Sequence, residues 1–111
     1  MALYTLPFAA AATRGDISIG ELSPVRLLVG TGWSSTATIV HVETSEDGVT
    51  YYPLWASGTA YTVPVSEGKA SVVDPTKFYG VSYIRLIGTR ARGTAEAQST
   101  ACAVGIVARS I

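Results

Sequence analysis

The sequence predicts an all-β fold, an antiparallel β-sandwich of jelly-roll type. Roughly seven or eight short runs rich in β-branched and aromatic residues are separated by turn signals about every 8–12 residues. No window carries the i, i+3, i+4, i+7 apolar spacing of an amphipathic helix. Residues 36–55 give the strongest single signal, because two such runs flank a turn that ends in Asp47-Gly48. We expect the other strands to pack on this hairpin.

Composition favours one domain with few charges. The chain has 111 residues, of which 48% are hydrophobic and 14% are charged, against roughly 25% charged in an average soluble domain. Eight basic and eight acidic residues cancel, so no broad positive field exists to hold nucleic acid. The single cysteine, Cys102, cannot form an internal disulfide and is expected to act as a small buried hydrophobe.

Residues 1–13 are predicted to form an extended N-terminal arm ahead of a β-sandwich domain at residues 14–111. The arm carries Leu3, Tyr4, Leu6 and Phe8 with little charge. An apolar terminus left in water is an aggregation hazard, so we expect it to dock on its own domain or on a neighbour. It lacks the basic region of a signal peptide, and no segment reaches the roughly 18 apolar residues of a membrane span. We therefore expect no membrane partner.

The first strands follow the arm in order. Arg14-Gly15-Asp16 matches the integrin-ligand tripeptide, but the simpler interpretation is a solvated turn before a short strand at residues 17–19. Residues 25–29 predict the next strand. In the hairpin, Thr38, Val40 and Val42 share the face that we expect in the core. Pro53 cannot donate to a strand ladder, so its strand is expected at an edge or a bulge.

The second half of the chain predicts strands at residues 60–65, 70–73, 83–87 and 97–107. Asp74-Pro75-Thr76 predicts a turn of helix or 3-10 helix, after which Phe78 and Tyr79 would cap one end of the sandwich. Residues 83–87 are the cleanest central strand, with Ile84 and Leu86 on one face. Arg85 lies on the other face and needs a partner, for which Glu43 is the expected cross-strand residue. Arg90 and Arg92 are interpreted as a solvated basic loop.

The residue sets of most enzyme classes are missing. His41 is the only histidine, so a His-rich metal site is excluded and any nucleophile–histidine arrangement would have to use it. Glu46 and Asp47 are neighbours at the tip of a turn, and turn chemistry explains them without catalysis. We expect no enzyme activity, no catalytic or metal-binding residues and no cofactor.

Several aromatic side chains could stack on the apolar face of a sugar ring. Aromatic residues in strands are more often core or interface anchors, and we favour that interpretation over sugar binding. The candidate ligand or interface aromatics are Trp33, Tyr51, Trp55 and Tyr61.

Two segments carry a family resemblance. They are Ser45-Glu46-Asp47-Gly48-Val49-Thr50-Tyr51-Tyr52-Pro53-Leu54 and, further along, Phe78-Tyr79-Gly80-Val81-Ser82-Tyr83-Ile84-Arg85-Leu86. The pattern, which covers residues 36–88, resembles small β-sandwich structural proteins of tailed bacteriophages, of the capsid decoration (cement) or fibre-base type. The resemblance implies a non-enzymatic virion component, usually oligomeric and often trimeric, that clamps neighbouring capsid subunits or anchors a fibre.

The leading hypothesis is therefore a capsid decoration protein, made in the host cytoplasm and located on the capsid surface. Its partners would be the major capsid protein, further copies of itself with a trimer favoured, and in some cases a fibre protein. Leu3, Tyr4, Leu6 and Phe8 would form the capsid or subunit interface, and deletion of residues 1–12 would abolish particle binding but leave the fold intact.

Two other hypotheses belong to different classes. The alternative function is a carbohydrate-binding or host-attachment module of fibre or adhesin type, which would use Trp33 and Trp55. An enzyme with His41 as its base ranks last.

Overall fold

The computed structural model of the chain describes residues 2–20, 22–56, 58–78, 81–90, 95, 97–98 and 100–110. Its strands are β1 (Ala2–Phe8), β2 (Arg14–Ser18), β3 (Ser23–Val29), β4 (Ile39–Ser45), β5 (Tyr52–Pro53), β6 (Trp55–Ala56), β7 (Thr59–Ala60), β8 (Thr62–Pro64), β9 (Ala70–Val72), β10 (Tyr83–Thr89) and β11 (Cys102–Arg109). A 3-10 helix, η1 (Pro75–Phe78), follows β9 and confirms the turn predicted there. Tyr79 and Arg92 lie outside the described residues. Within these ranges no helix has the length and apolarity needed to cross a membrane.

The strands form two antiparallel sheets that pack face to face, as predicted. Sheet I has the order β1-β11-β3-β9, and sheet II has the order β2-β10-β4, with β5 and β8 sharing the far edge of β4. If β8 is counted as the fourth strand of sheet II and the short β5, β6 and β7 are left aside, most strands that follow one another in sequence lie in opposite sheets. This is the double-sheet arrangement of a jelly roll. Strands β6 and β7 form a separate small hairpin between β5 and β8.

The core lies between the sheets because alternate side chains of each long strand point inward. Val40 and Val42 are 0% and 2% exposed, and Ile84 and Leu86 are each 1% exposed, so both predicted inward faces are confirmed. Thr38, which precedes β4, is exposed instead. The other buried apolar residues are Leu6, Phe8, Ile19, Leu27, Val29, Trp33, Ala37, Val63, Val65, Val73, Phe78, Val81, Val104, Ile106 and Ala108.

The segment predicted as an arm is an integral strand of its own domain. β1 pairs with β11 along its whole length, from Ala2 opposite Ala108 to Phe8 opposite Cys102. Leu6 and Phe8 are 0% and 1% exposed. These two side chains therefore belong to the core and not to a capsid or subunit interface. The physical reason is the period-two alternation of the segment, which sends every second side chain inward once β11 supplies a pairing edge.

The predicted turn at Arg14-Gly15-Asp16 is wrong, because these residues belong to strand β2. The tripeptide pairs with β10, with Asp16 opposite Arg85 and Gly15 opposite Leu86. Gly15 is buried, and a Cβ atom there would come within 2.6 Å of the Pro7 carbonyl oxygen. The missing side chain thus lets β1 and β2 approach closely where the chain crosses between the sheets.

The predicted hairpin is present but its second strand is short. β5 pairs with only two residues of β4, Glu43 and Thr44. It lies at the edge of sheet II, which confirms the prediction made from Pro53. The turn is held by the Asp47 carboxylate, which accepts hydrogen bonds from the Val49 amide at 2.8 Å, the Thr50 amide at 3.0 Å and the Ser45 hydroxyl at 2.9 Å. These donors hold the pKa of Asp47 below its usual value.

We expect replacement of the buried Leu6 to destabilise the fold strongly. Leu6→Ala should lower the free energy of unfolding by about 2–5 kcal/mol, because it opens a cavity between the sheets. Leu3→Ala on the same strand is the matched control, since Leu3 is 65% exposed, and should change stability by about 0.5 kcal/mol or less. Urea denaturation measures both. Equal effects would show that β1 is not a core strand.

We expect the Asp47 turn to make stability depend on acid pH. The folded-state pKa is lowered, so the stabilisation is fully present above the unfolded pKa of about 3.9 and is lost as pH falls through the folded value. The stability gap between the wild type and Asp47→Ala should therefore be constant from about pH 5 to 7 and narrow below about pH 4. Asp47→Asn, which keeps an acceptor oxygen without a titrating charge, is the control. A gap that is independent of pH contradicts this account of the turn.

Candidate functional site

The candidate site is a shallow groove on the outer face of sheet II, called here the sheet II groove. Its volume is about 300 Å³, at the lower end of the range for small-ligand sites. Apolar and polar groups both line it: His41, Val42, Glu43, Pro53, Ala60, Ile87, Thr89 and Ala95. An apolar surface with a few polar groups is the composition expected of a ligand-binding groove.

The irregular edge of sheet II builds one wall of this groove. β4 bonds β5 near one end and β8 near the other, and the chain leaves the edge between them to form the β6–β7 hairpin. The Leu54 amide donates to the Val42 carbonyl at 2.9 Å, and the Tyr61 amide donates to the Leu54 carbonyl at 2.8 Å. These bonds fix both ends of the hairpin, so Pro53 and Ala60 have a defined position beside β4.

Trp55 is a neighbour of two groove residues but does not line the groove itself. It is the cross-strand partner of Ala60, which lines the groove, and it follows the lining residue Pro53 by two positions. Its side chain is 63% exposed, although a tryptophan offers a large apolar surface that is normally buried. The site therefore presents an open aromatic surface next to polar groups.

His41 contributes a polar group with one described hydrogen-bond partner. Its Nδ1 atom lies 3.1 Å from the Thr89 hydroxyl, which also lies 3.3 Å from the Ile39 carbonyl. The single hydroxyl proton goes to one of these two acceptors, and the imidazole tautomer depends on which one receives it. A ligand hydroxyl both donates and accepts, so it can form a hydrogen bond with Nε2 in either tautomer.

A charged row crosses sheet II beside the groove. Arg85 lies 3.3 Å from the Asp16 carboxylate and 3.4 Å from the Glu43 carboxylate, which confirms the expected Glu43 partner and adds a second one. The Tyr51 ring covers the guanidinium at 3.9 Å from its centroid. Burial, together with the nearby Asp16 carboxylate, raises the pKa of Tyr51. Glu43 belongs to both the row and the groove, so the row fixes a carboxylate at the groove's edge.

Two of the four candidate aromatics are structural. Trp33 is 4% exposed and donates a hydrogen bond from Nε1 to the Ala37 carbonyl at 2.8 Å. Its ring packs edge-on against the Phe8 ring, with 5.0 Å between the ring centroids. Tyr61 packs edge-on against Phe78, with 5.8 Å between the ring centroids. The structure thus separates the set: Trp33 and Tyr61 support the core, Tyr51 covers Arg85, and Trp55 faces solvent.

Sequence reasoning missed Asp16 and most of the groove lining. A signal for Asp16 existed, because Arg14, Asp16 and Ser18 alternate with Gly15, Ile17 and Ile19 in the pattern of a half-buried strand. For Ile87, Ala60 and Thr89 there was none, since ordinary strand residues become groove lining only when the sheet brings them together.

Asp47 of the β4–β5 turn has a structural role. The Asp47 carboxylate is occupied by the turn bonds already described. In the part of the chain that the structure describes, no group of three or more His, Cys, Asp or Glu side chains is placed to hold a metal ion.

A solved structure shares this fold. CBM32-1 from a family 31 glycoside hydrolase of Clostridium perfringens is 18% identical with a TM-score of 0.52, over 96% of this chain and 76% of that one. The NLP-core of Drosophila is 14% identical with a TM-score of 0.43, over 98% of this chain and 97% of that one. No family model and no curated protein sequence matches the chain. The first likeness shows a β-sandwich fold.

We expect the two tryptophans to differ sharply in their effect on stability. Trp33→Ala should lower the free energy of unfolding by about 3–5 kcal/mol because it empties a core site. Trp55→Ala should change it by about 0.5 kcal/mol or less, because the side chain is largely in solvent. Urea denaturation followed by circular dichroism measures both variants. A large loss in Trp55→Ala would mean that this side chain supports the fold and is not held ready for a ligand.

Proposed function

We propose that the chain is a carbohydrate-binding or host-attachment module that binds a sugar in the sheet II groove. The observation that carries the proposal is Trp55, a 63% exposed tryptophan that pairs with Ala60, a lining residue of the groove that holds His41 and Glu43. An indole face stacks on the apolar face of a pyranose ring, and fixed polar groups then select its hydroxyls.

The polar groups suit a ligand rich in hydroxyls. Nε2 of His41 can form a hydrogen bond with a ligand hydroxyl, and the Glu43 carboxylate has acceptor sites beyond its contact with Arg85. Both residues lie on strand β4, which pairs with β10 on one side and with β5 and β8 on the other. A ligand would therefore meet polar groups at fixed positions, which lowers the entropic cost of binding.

The charges favour a neutral or amino sugar over an acidic one. The row beside the groove contains two carboxylates, Asp16 and Glu43, against the single guanidinium of Arg85. The carboxylate nearer the groove would repel a uronic or sialic acid, whereas it can accept hydrogen bonds from hydroxyl or ammonium groups.

The fold likeness to CBM32-1 supports a binding module, since that protein is a carbohydrate-binding module by name. A non-catalytic role is part of the same proposal. Carbohydrate binding was the alternative hypothesis from the sequence, which assigned both Trp33 and Trp55 to the ligand. Trp33 lies in the core, so the proposal now depends on Trp55 alone.

A capsid-decoration role stays a prediction from the family resemblance, as do the virion location, the capsid partner and the trimer. The clamping arm on which that role depended is engaged in its own sheet as β1. Leu6 and Phe8 are enclosed in the core, so they are not available to a neighbouring subunit. For this reason we favour the groove of sheet II over the N-terminal segment as the functional site.

An array of immobilised neutral, amino and acidic oligosaccharides tests the proposal, with titration calorimetry on any sugar that binds. We expect binding to a neutral or amino sugar, weakened at least about tenfold by Trp55→Ala. Val49→Ala is the matched control, because Val49 is 81% exposed and lies outside the groove lining. Unchanged binding in Trp55→Ala, or no binding to any sugar on the array, would refute the proposal.

A further inference from the structure

A second cleft lies on the outer face of sheet II, across the charged row from the sheet II groove. It is called here the Tyr83 cleft, and its volume is about 250 Å³. Two tyrosines, an aspartate and a serine are among its lining residues, which are Asp16, Ile17, Ser18, Gly48, Tyr51 and Tyr83. Like the groove, the cleft therefore combines apolar surface with hydrogen-bonding groups.

Strand register puts the groove and the Tyr83 cleft on the same face of the sheet. Asp16 pairs with Arg85, and Arg85 pairs with Glu43, so the charged row runs across β2, β10 and β4. On β10, Tyr83 precedes Arg85 by two residues and the groove residue Ile87 follows it by two. Alternation therefore directs all three side chains outward. The charged row separates the two clefts, with the Tyr83 cleft at one side of it and the groove at the other.

The Tyr51 ring joins the two clefts. It covers the Arg85 guanidinium at 3.9 Å from the ring centroid, and it is itself a lining residue of the Tyr83 cleft. Arg85 is held in turn by the Asp16 and Glu43 carboxylates at 3.3 and 3.4 Å, so the ring rests on a fixed cation. A ligand that crosses the charged row therefore meets an aromatic ring in place of a bare guanidinium.

The Tyr83 ring also has a fixed position. β10 pairs with β2 on one side and with β4 on the other. A Cβ atom on Gly48 would lie 3.1 Å from the Tyr83 ring, so the β4–β5 turn packs directly against that ring. The turn is held by the hydrogen bonds to Asp47 described above. Because its aromatic wall is already ordered, the cleft would lose little entropy when a ligand binds.

Each cleft alone is small, but the surface that they form together is long. Their volumes of about 300 and 250 Å³ lie at or below the lower end of the range for small-ligand sites. Ser18 pairs with Tyr83 at one end of this surface, and His41 pairs with Ile87 at the other. Two strand spacings and four residue steps separate Ser18 from His41, a distance of about 16 Å. One sugar ring is much shorter than this distance, whereas a chain of sugars can span it.

We propose that the sheet II groove and the Tyr83 cleft bind one oligosaccharide, which runs diagonally across sheet II over the Tyr51 ring. This inference rests on the proposed sugar binding in the groove and adds the length of the ligand. The Asp16 carboxylate has the same charge in the Tyr83 cleft as Glu43 has in the groove. It can accept hydrogen bonds from hydroxyl or ammonium groups and would repel an acidic sugar. The ligand class is therefore a chain of neutral or amino sugars.

Titration calorimetry with a length series of the sugar that the array identifies tests the inference. The series runs from the single sugar to chains of several units. We expect the affinity to rise at least about tenfold once the chain reaches both clefts, because the second cleft then adds its own contacts. The single sugar should bind in the groove alone.

Two variants alter the Tyr83 cleft and leave the groove intact. Ser18→Leu fills the cleft from an exposed position on an edge strand, and Tyr83→Ala removes its aromatic wall. Each should lower the affinity for the long chain to that for the single sugar and leave the single-sugar affinity unchanged. Tyr52→Ala is the matched control, since Tyr52 is 67% exposed and lies outside the lining of both clefts. It should change neither affinity.

Circular dichroism and thermal melts show whether each variant is folded, and Ser18→Leu decides the outcome if Tyr83→Ala does not fold. Equal affinity for single sugars and long chains would overturn this inference but leave sugar binding in the groove standing. A length-dependent gain that persists in folded Ser18→Leu would do the same. Absence of binding at every chain length would remove both proposals, so the two failures are distinguishable.

Discussion

The alternation of side chains along each strand is the constraint on which this structure depends. Two sheets face each other, and every second residue of the long strands must fill the single space between them. The central inward residues of β4, β10 and β11 are buried for this reason, as are Leu6 and Phe8 of β1. The same rule leaves the intervening residues outside, so the character of each outer face is decided by residues that contribute little to the core.

Those two outer faces have different chemistry. On sheet II the outward residues include Asp16, Arg85, Glu43 and His41, which form polar contacts across three strands. On sheet I the corresponding residues are mainly small and apolar. The sandwich thus has a polar outer face and a mainly apolar outer face on opposite sides of a shared core.

The edge of β4 shows how local chemistry creates a site. Pro53 cannot continue a strand ladder, and the chain turns away into the β6–β7 hairpin before β8 resumes pairing. Gly58, with a φ angle of 81°, accommodates the tight return of that hairpin. The β6–β7 hairpin brings Trp55 opposite the groove residue Ala60, where a continuous strand would have left a plain sheet edge.

Much of the fold could be predicted from sequence because it follows from local rules. The inward faces of β4 and β10, the edge position of Pro53 and the 3-10 turn after Asp74 all depend on spacing within a strand or on turn chemistry. The N-terminal segment was harder, because an apolar strand and an apolar arm have the same composition. Only the free edge of β11, at the other end of the chain, distinguishes them.

The sequence by itself determined an all-β sandwich, since period-two patterns and turn residues act over a few positions. Tertiary structure decided which tryptophan is buried and which is open, because Trp33 packs against Phe8 from a distant part of the chain whereas Trp55 lies on a short hairpin and is 63% exposed. It also decided the site, since Asp16, Glu43 and Arg85 are far apart in sequence and meet only when three strands pair. Long-range pairing carries no local signature, and for that reason the groove could not be located before the fold was known.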